Sequence, residues 1–197
     1  MSKYYKNSSS GENKVINFCA EKLIREANNY FIHFRDYNTA LDRVSKALSL
    51  EPVKIKALIL KGEILFCMDK EKESLEYFDM AINADPYSVE AYGSKAGTLD
   101  VLGKQQEALD CCQKAFESMS SKDAHLLPSL YDQKIAILLR LKKYEEARTA
   151  LKKCVISLPE EDSNYLISCY EDLIESSYKK KQKKFEMLKR IQLKLVN

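Results

Sequence analysis

The chain of 197 residues has no tryptophan, two histidines, five glycines and four prolines. So few turn formers, with 45% apolar and 31% charged residues, agree with a helical chain that can bury one continuous core. No apolar run is long enough to cross a bilayer, and the start, Met1-Ser2-Lys3-Tyr4-Tyr5-Lys6, lacks the apolar stretch of a secretory signal. The expected address is cytoplasmic. His33 and His125 are far apart and no Cys-x-x-Cys pair exists, which leaves no zinc-ligand spacing. Catalytic constellations are missing too. Gly93-Ser94-Lys95-Ala96-Gly97 and Leu102-Gly103-Lys104 follow no strand and complete no phosphate-loop spacing, so neither an enzyme, a metal nor a cofactor is expected.

Six cysteines are present, and a disulfide framework would place them in the loops of a smaller secreted chain. Cys112 and Cys154 instead fall on periodic core sites, Cys111 is next to one, and Cys19, Cys67 and Cys169 lie within predicted helices. They are expected to be buried, reduced thiols.

What the sequence does contain is a period. Pro52 and Pro86 stand 34 residues apart, as do Ala47, Ala81 and Ala115, and also Ala40, Ser74 and Ala108. Small residues recurring on the same turns predict close backbone contact. Val44, Phe78 and Cys112 keep step as larger knobs, and Phe31, Leu65 and Leu99 form a second comb upstream, so one unit is a pair of amphipathic helices. A fourth copy, Ala147, Leu151, Cys154 and Pro159, follows after a slip, with Ala147 lying 39 beyond Ala108. The five extra residues fall between Ser118 and Leu127, and Pro128 is expected to open the next helix.

With these residues in place, the chain resembles the tetratricopeptide repeat (TPR) family over roughly residues 21 to 159. The third repeat reads Tyr92, Ala96, Leu99, Ala108, Cys112, Ala115, and the second Leu58, Gly62, Leu65, Ser74, Phe78, Ala81, Pro86. Asn28 and Ile135 stand at the small site of the first and fourth repeats, Cys154 replaces an alanine, and Ser120 the third proline. The resemblance implies an all-α, right-handed α-solenoid of about four TPR-like hairpins, whose first helices line a concave ligand face. Residues 14–162 are expected to form it, after a disordered segment 1–13 and before a capping helix 163–197. The first helix should start near Lys14 and present Val15, Phe18, Ile24 and Phe31 to the core.

Removing core positions from the first helices leaves a graded concave face. Lys22, Arg25, Glu26 and Asn29 form a basic end; Ile59, Leu60, Glu63 and Phe66 an apolar patch; Gly93, Ser94, Gly97 and Asp100 a glycine floor; Asp132, Gln133, Ala136 and Arg140 a mixed polar end. Exposed apolar clusters generally mark interaction sites, so Ile59, Leu60 and Phe66 point to a protein or peptide ligand. Lys22, Arg25 and Asn29 would fix its polarity, and the glycines would let its backbone approach. Within the family, domains that hold acidic chaperone tails use a two-carboxylate clamp of Lys, Asn, Asn, Lys and Arg. Arg25 and Asn29 resemble its first pair, but Leu60, Glu90 and Ser94 occupy the next positions, and a carboxylate at Glu90 would repel such a tail.

Tyr165, Cys169, Leu173 and Ile174 are expected to cap the last repeat. Beyond them residues 178–197 carry eight Lys or Arg and one acid, a net +7, which leaves −4 for residues 1–177 out of the chain's +3. Phe185, Leu188, Ile191 and Leu195 fall at helical spacing among these lysines. Such a basic amphipathic helix can meet an anionic membrane surface, an acidic partner or another copy in a homo-oligomer. Nucleic acid is disfavoured, because Glu63, Asp100 and Asp132 on the inner face oppose phosphates. The reading is a non-enzymatic interaction module, scaffold, adaptor or co-chaperone-like. The alternative is a structural assembly protein acting through its basic tail.

Overall fold

The computed structural model describes the backbone of residues 8–196 and the side chains of residues 12–180, 182 and 183. Its hairpins close where the chain turns left-handed, at Arg35 (φ 51°), Asp69 (φ 57°), Gly103 (φ 76°) and Lys142 (φ 59°). These positions are 34, 34 and 39 apart, so the backbone repeats the sequence period, slip included. Past each of the last three turns an amide donates to a carbonyl five residues back: Lys70 to Leu65 (3.0 Å), Lys104 to Leu99 (2.9 Å) and Lys143 to Leu138 (2.9 Å). Acids then open each second helix, Glu71 and Glu73, Glu107, and Glu145 and Glu146, where the helix dipole favours negative charge.

Among the described residues there are nine α-helices and no strand: α1 (Ser8–Asn29), α2 (Tyr37–Leu50), α3 (Ile55–Cys67), α4 (Glu71–Ala84), α5 (Val89–Val101), α6 (Gln105–Glu117), α7 (Leu127–Arg140), α8 (Tyr144–Ser157) and α9 (Glu160–Val196). The five-residue insertion is accommodated by a six-residue 3₁₀ turn, Ser121–Leu126, held by a reciprocal cap between Ser120 and Asp123. Pro128 sits in the first turn of α7, where its missing N–H is harmless.

The small-residue comb is the seam. Ala40, Ala47, Ser74, Ala81, Ala108, Ala115 and Ala147 have no exposed surface, with Val44, Phe78 and Cys112 packed between them. Successive first helices touch, α1 with α3, α3 with α5, α5 with α7 and α7 with α9, whereas the second helices make no comparable contacts among the described residues. The stack therefore closes along its first helices and splays along its second, which produces a concave face on α3, α5 and α7.

Expectations are corrected at both ends of the stack. In the first repeat Ala27, not Asn28, is the buried small residue. A π turn at Tyr30–Phe34 adds one residue, and Asp36 N–H closes on Tyr30 O rather than on Phe31. Ile24 is buried and Phe31 half-buried, but Val15 and Phe18 are exposed, because that half of α1 runs beyond the packed hairpin. Helix α1 also begins six residues ahead of Lys14 and so takes in residues 8–13; residues 1–7 lie outside the described ones.

At the other end Ser163, Leu166 and Ile174 are the buried cap residues, backed by Ile167 and Tyr170. Tyr165, Cys169 and Leu173 are exposed: the capping stripe is turned by one residue from the expected one. Of the cysteines only Cys112 and Cys154 are buried; Cys111 is half-buried, and Cys19, Cys67 and Cys169 are exposed. Phe185, Leu188, Ile191 and Leu195 lie outside the described side chains. Among the described residues no helix is long and apolar enough to cross a membrane.

Candidate functional site

Three first helices bring one face each to a groove of about 520 Å³. Helix α3 contributes Glu63, Phe66 and Cys67, α5 contributes Glu90, Gly93, Ser94 and Gly97, and α7 contributes Ser129, Leu130 and Gln133. Phe31 and Leu126, from the turns, close its margins. The apolar surface is provided by half-buried Phe66 together with Phe31, Leu126 and Leu130.

Glu63 gives the groove its electrostatic character. Its Oε1 accepts a hydrogen bond from Ser94 Oγ at 2.9 Å, across the α3–α5 boundary. Burial pushes the carboxyl above its ordinary value; the Ser94 hydroxyl opposes this and the nearby Glu90 carboxylate adds to it. Cys67 is exposed as a residue, but the partial desolvation of its thiol raises its pKa, and the charges of Glu63 and Asp69 raise it further. The lining contains Glu63 and Glu90 but no Lys, Arg or His.

The glycine stripe lines the groove and also has a packing role. A methyl group on Gly97 would come within 2.9 Å of Gln133 Nε2, and one on Gly93 within 3.4 Å of Leu130 Cδ2. Gln133 lies across α5, donates to Gly93 O at 3.2 Å and accepts a long contact from Cys112 Sγ at 3.7 Å. The missing side chains thus let α7 close on α5. Burial pushes the Cys112 thiol up to about 12, so it sits in that junction as a neutral donor.

Of the residues singled out from sequence, Glu63, Phe66, Ser94 and Gly97 meet in this groove. Ile59 and Leu60 do not: they are 2% and 6% exposed and belong to the packed interior. A first helix in mid-stack is flanked by hairpins on both sides, so its apolar run is buried nearly all round. Lys22, Arg25 and Asn29 are exposed on α1 and do not line the groove; Lys22 Nζ and Arg43 Nη1 approach Glu26 at 4.0 and 3.6 Å. Asp132 and Arg140 act as ties, Asp132 Oδ1 accepting from Tyr170 Oη of α9 at 2.7 Å and Arg140 pairing with Asp100 of α5.

Gly93 and Gln133, placed on the concave face from sequence, also line the groove, whereas Glu90, Cys67 and Ser129 line it without having been placed there. The acid at Glu90 was the available signal, since it stands where a clamp cation would be. No group of three or more His, Cys, Asp or Glu side chains among the described residues could hold a metal ion.

No family model matches the sequence, and no curated protein does. Solved structures do resemble it. The crystal structure of MamA superposes with a TM-score of 0.60 at 18% identity, over 80% of this chain and 95% of that one. The TPR2B domain of yeast Sti1, in its complex with pHsp70, gives 0.58 at 18% identity, over 62% and 98%. The first TPR domain of Spaghetti (RPAP3), bound to the HSP90 peptide SRMEEVD, gives 0.53 at 18%, over 62% and 93%. At such identities the likeness is one of fold, and the fold is that of a tetratricopeptide-repeat protein.

Proposed function

We propose that this chain is a non-enzymatic protein-interaction module that holds a segment of another polypeptide in the groove between α3, α5 and α7. The observation that carries the reading is the groove itself: about 520 Å³ of concave space with Phe66 half-buried in its wall, on the side where solenoids of this kind present a ligand face. Two proteins of the same fold were solved with chaperone peptides or complexes, which supports a binding role for the architecture.

The ligand differs in chemistry from those. The peptide SRMEEVD carries three carboxylate side chains, whereas Glu63 and Glu90 make this groove acidic. Like charges in a partly desolvated cleft repel, so chaperone-tail capture does not transfer. Phe66, not Ile59 or Leu60, is the apolar anchor in this reading, and Lys22, Arg25 and Asn29 lie outside the contact.

Affinity capture with the wild-type chain and with Phe66→Asp, read by quantitative mass spectrometry, tests the proposal. Proteins retained by the wild type and lost by the variant, with the variant's circular-dichroism melt still cooperative, are the expected result. An identical captured set would overturn it.

A further inference from the structure

The groove lining holds two carboxylates and no cation, beside an apolar wall. A segment that satisfies it must offer lysine or arginine next to apolar side chains. The chain contains one such segment. Residues 178–197 carry a net +7, with Phe185, Leu188, Ile191 and Leu195 spaced along one helical stripe, against a body of net −4.

This segment cannot serve its own groove without a break. Helix α9 is continuous from Glu160 to Val196, and its packing against α7 and α8 runs to Ile174, the last buried residue described. From there 22 residues of helix continue to Val196, about 33 Å at 1.5 Å per residue. A rod anchored on α7 and α8 does not double back across α3 and α5.

We propose that the groove receives residues 178–197 of a second copy of this chain, with Glu63 and Glu90 pairing with its lysines and Phe66 meeting its apolar side chains. This rests on the groove reading above and names its occupant. Each copy offers one tail and one groove, so association closes by reciprocal exchange into a dimer or larger ring, or propagates into open chains where the rotation does not close. Because the charges are only partly shielded from water, association weakens as salt rises.

Sedimentation velocity on the full-length chain tests this with two variants. The groove variant is Glu63→Gln with Glu90→Gln. The tail variant is Lys180→Glu with Lys183→Glu and Lys184→Glu. The wild type is expected to rise above its monomer mass of 22.7 kDa with concentration and to fall back towards it in high salt. Each variant alone is expected to stay monomeric. An equimolar mixture, which combines one intact tail with one intact groove, is expected to give a complex of two chains and nothing larger.

A wild type that is monomeric across the series overturns the inference, as does a groove variant that associates like the wild type or a mixture that remains monomeric. Glu90→Lys, at an exposed position, provides a second groove variant should the paired substitution disturb folding. If the wild type is monomeric but Phe66→Asp still loses captured proteins, the groove reading stands and its occupant is another polypeptide.

Discussion

Phe78 fills the space that a side chain at residue 62 would need: a methyl group built on Gly62 would lie 2.5 Å from its Cε1. The ring is 1% exposed and cannot swing into water. Here α3 and α4, the two helices of the second repeat, pack with no room for a side chain between them. Gly62→Ala gains about 1 kcal/mol of helix propensity but forces overpacking worth about 1–3 kcal/mol. Net destabilisation is expected in urea unfolding, and Gly62→Val should be worse.

The turn geometry predicts an opposed pair of effects. Lys142 and Gly103 occupy equivalent left-handed positions, at φ 59° and 76°. A methyl group on Gly103 would meet nothing within 4 Å, so conformation alone decides its effect. Gly103→Ala should cost about 1 kcal/mol and Lys142→Gly should gain about 0.5–1 kcal/mol. Denaturation midpoints moving in the same direction would contradict this.

Arg140 pairs with Asp100 across the α5–α7 boundary, and the Asp100 side chain is only 9% exposed while that of Arg140 is 54%. Arg140→Ala strands a nearly buried carboxylate at a cost of about 1–3 kcal/mol. Adding Asp100→Ala should recover part of that loss. A double-mutant cycle in urea reads the coupling, and a zero interaction energy would mean the pair does not hold the boundary.

Glu63 should make stability depend on pH. Its carboxyl is held above the usual value in the folded chain, chiefly by burial. The folded state thus keeps its proton to higher pH than the unfolded state. The favourable contribution is fully present below the unfolded carboxylate value, about 4.3, and is lost as pH rises through the folded one. Glu63→Gln removes this slope. Relative to the wild type it should be equally stable near pH 4 and more stable at pH 7, as measured by urea midpoints at both. A variant that loses stability as pH rises as steeply as the wild type would contradict the assignment.

The repeat was legible because close packing demands a small residue on the same turn of every second helix, and Ala47, Ala81 and Ala115 meet that demand in strict register. Left-handed closure was legible only at Gly103; Arg35, Asp69 and Lys142 carry no such signature. The π turn at Tyr30–Phe34 was not legible either, because one added residue leaves the composition unchanged. It moved the small site from Asn28 to Ala27, so the basic residues projected from the later repeats did not fall on the groove. Ile59 and Leu60 were misplaced for another reason. An apolar residue on a first helix can face ligand or neighbour, and in mid-stack the neighbours took both. Glu63, Phe66, Ser94 and Gly97 were found because α3 and α5, the two first helices that carry them, keep the 34-residue register across the groove.

Site-specific photocrosslinking tests the central claim most directly. A benzophenone side chain replaces Phe66 in the groove wall or, as a control, Met80, which is exposed on α4 outside the groove. The account predicts a peptide adduct at position 66, mapped by mass spectrometry to a basic, apolar segment, and none above background at position 80. Adducts at position 80 with none at position 66 would contradict it.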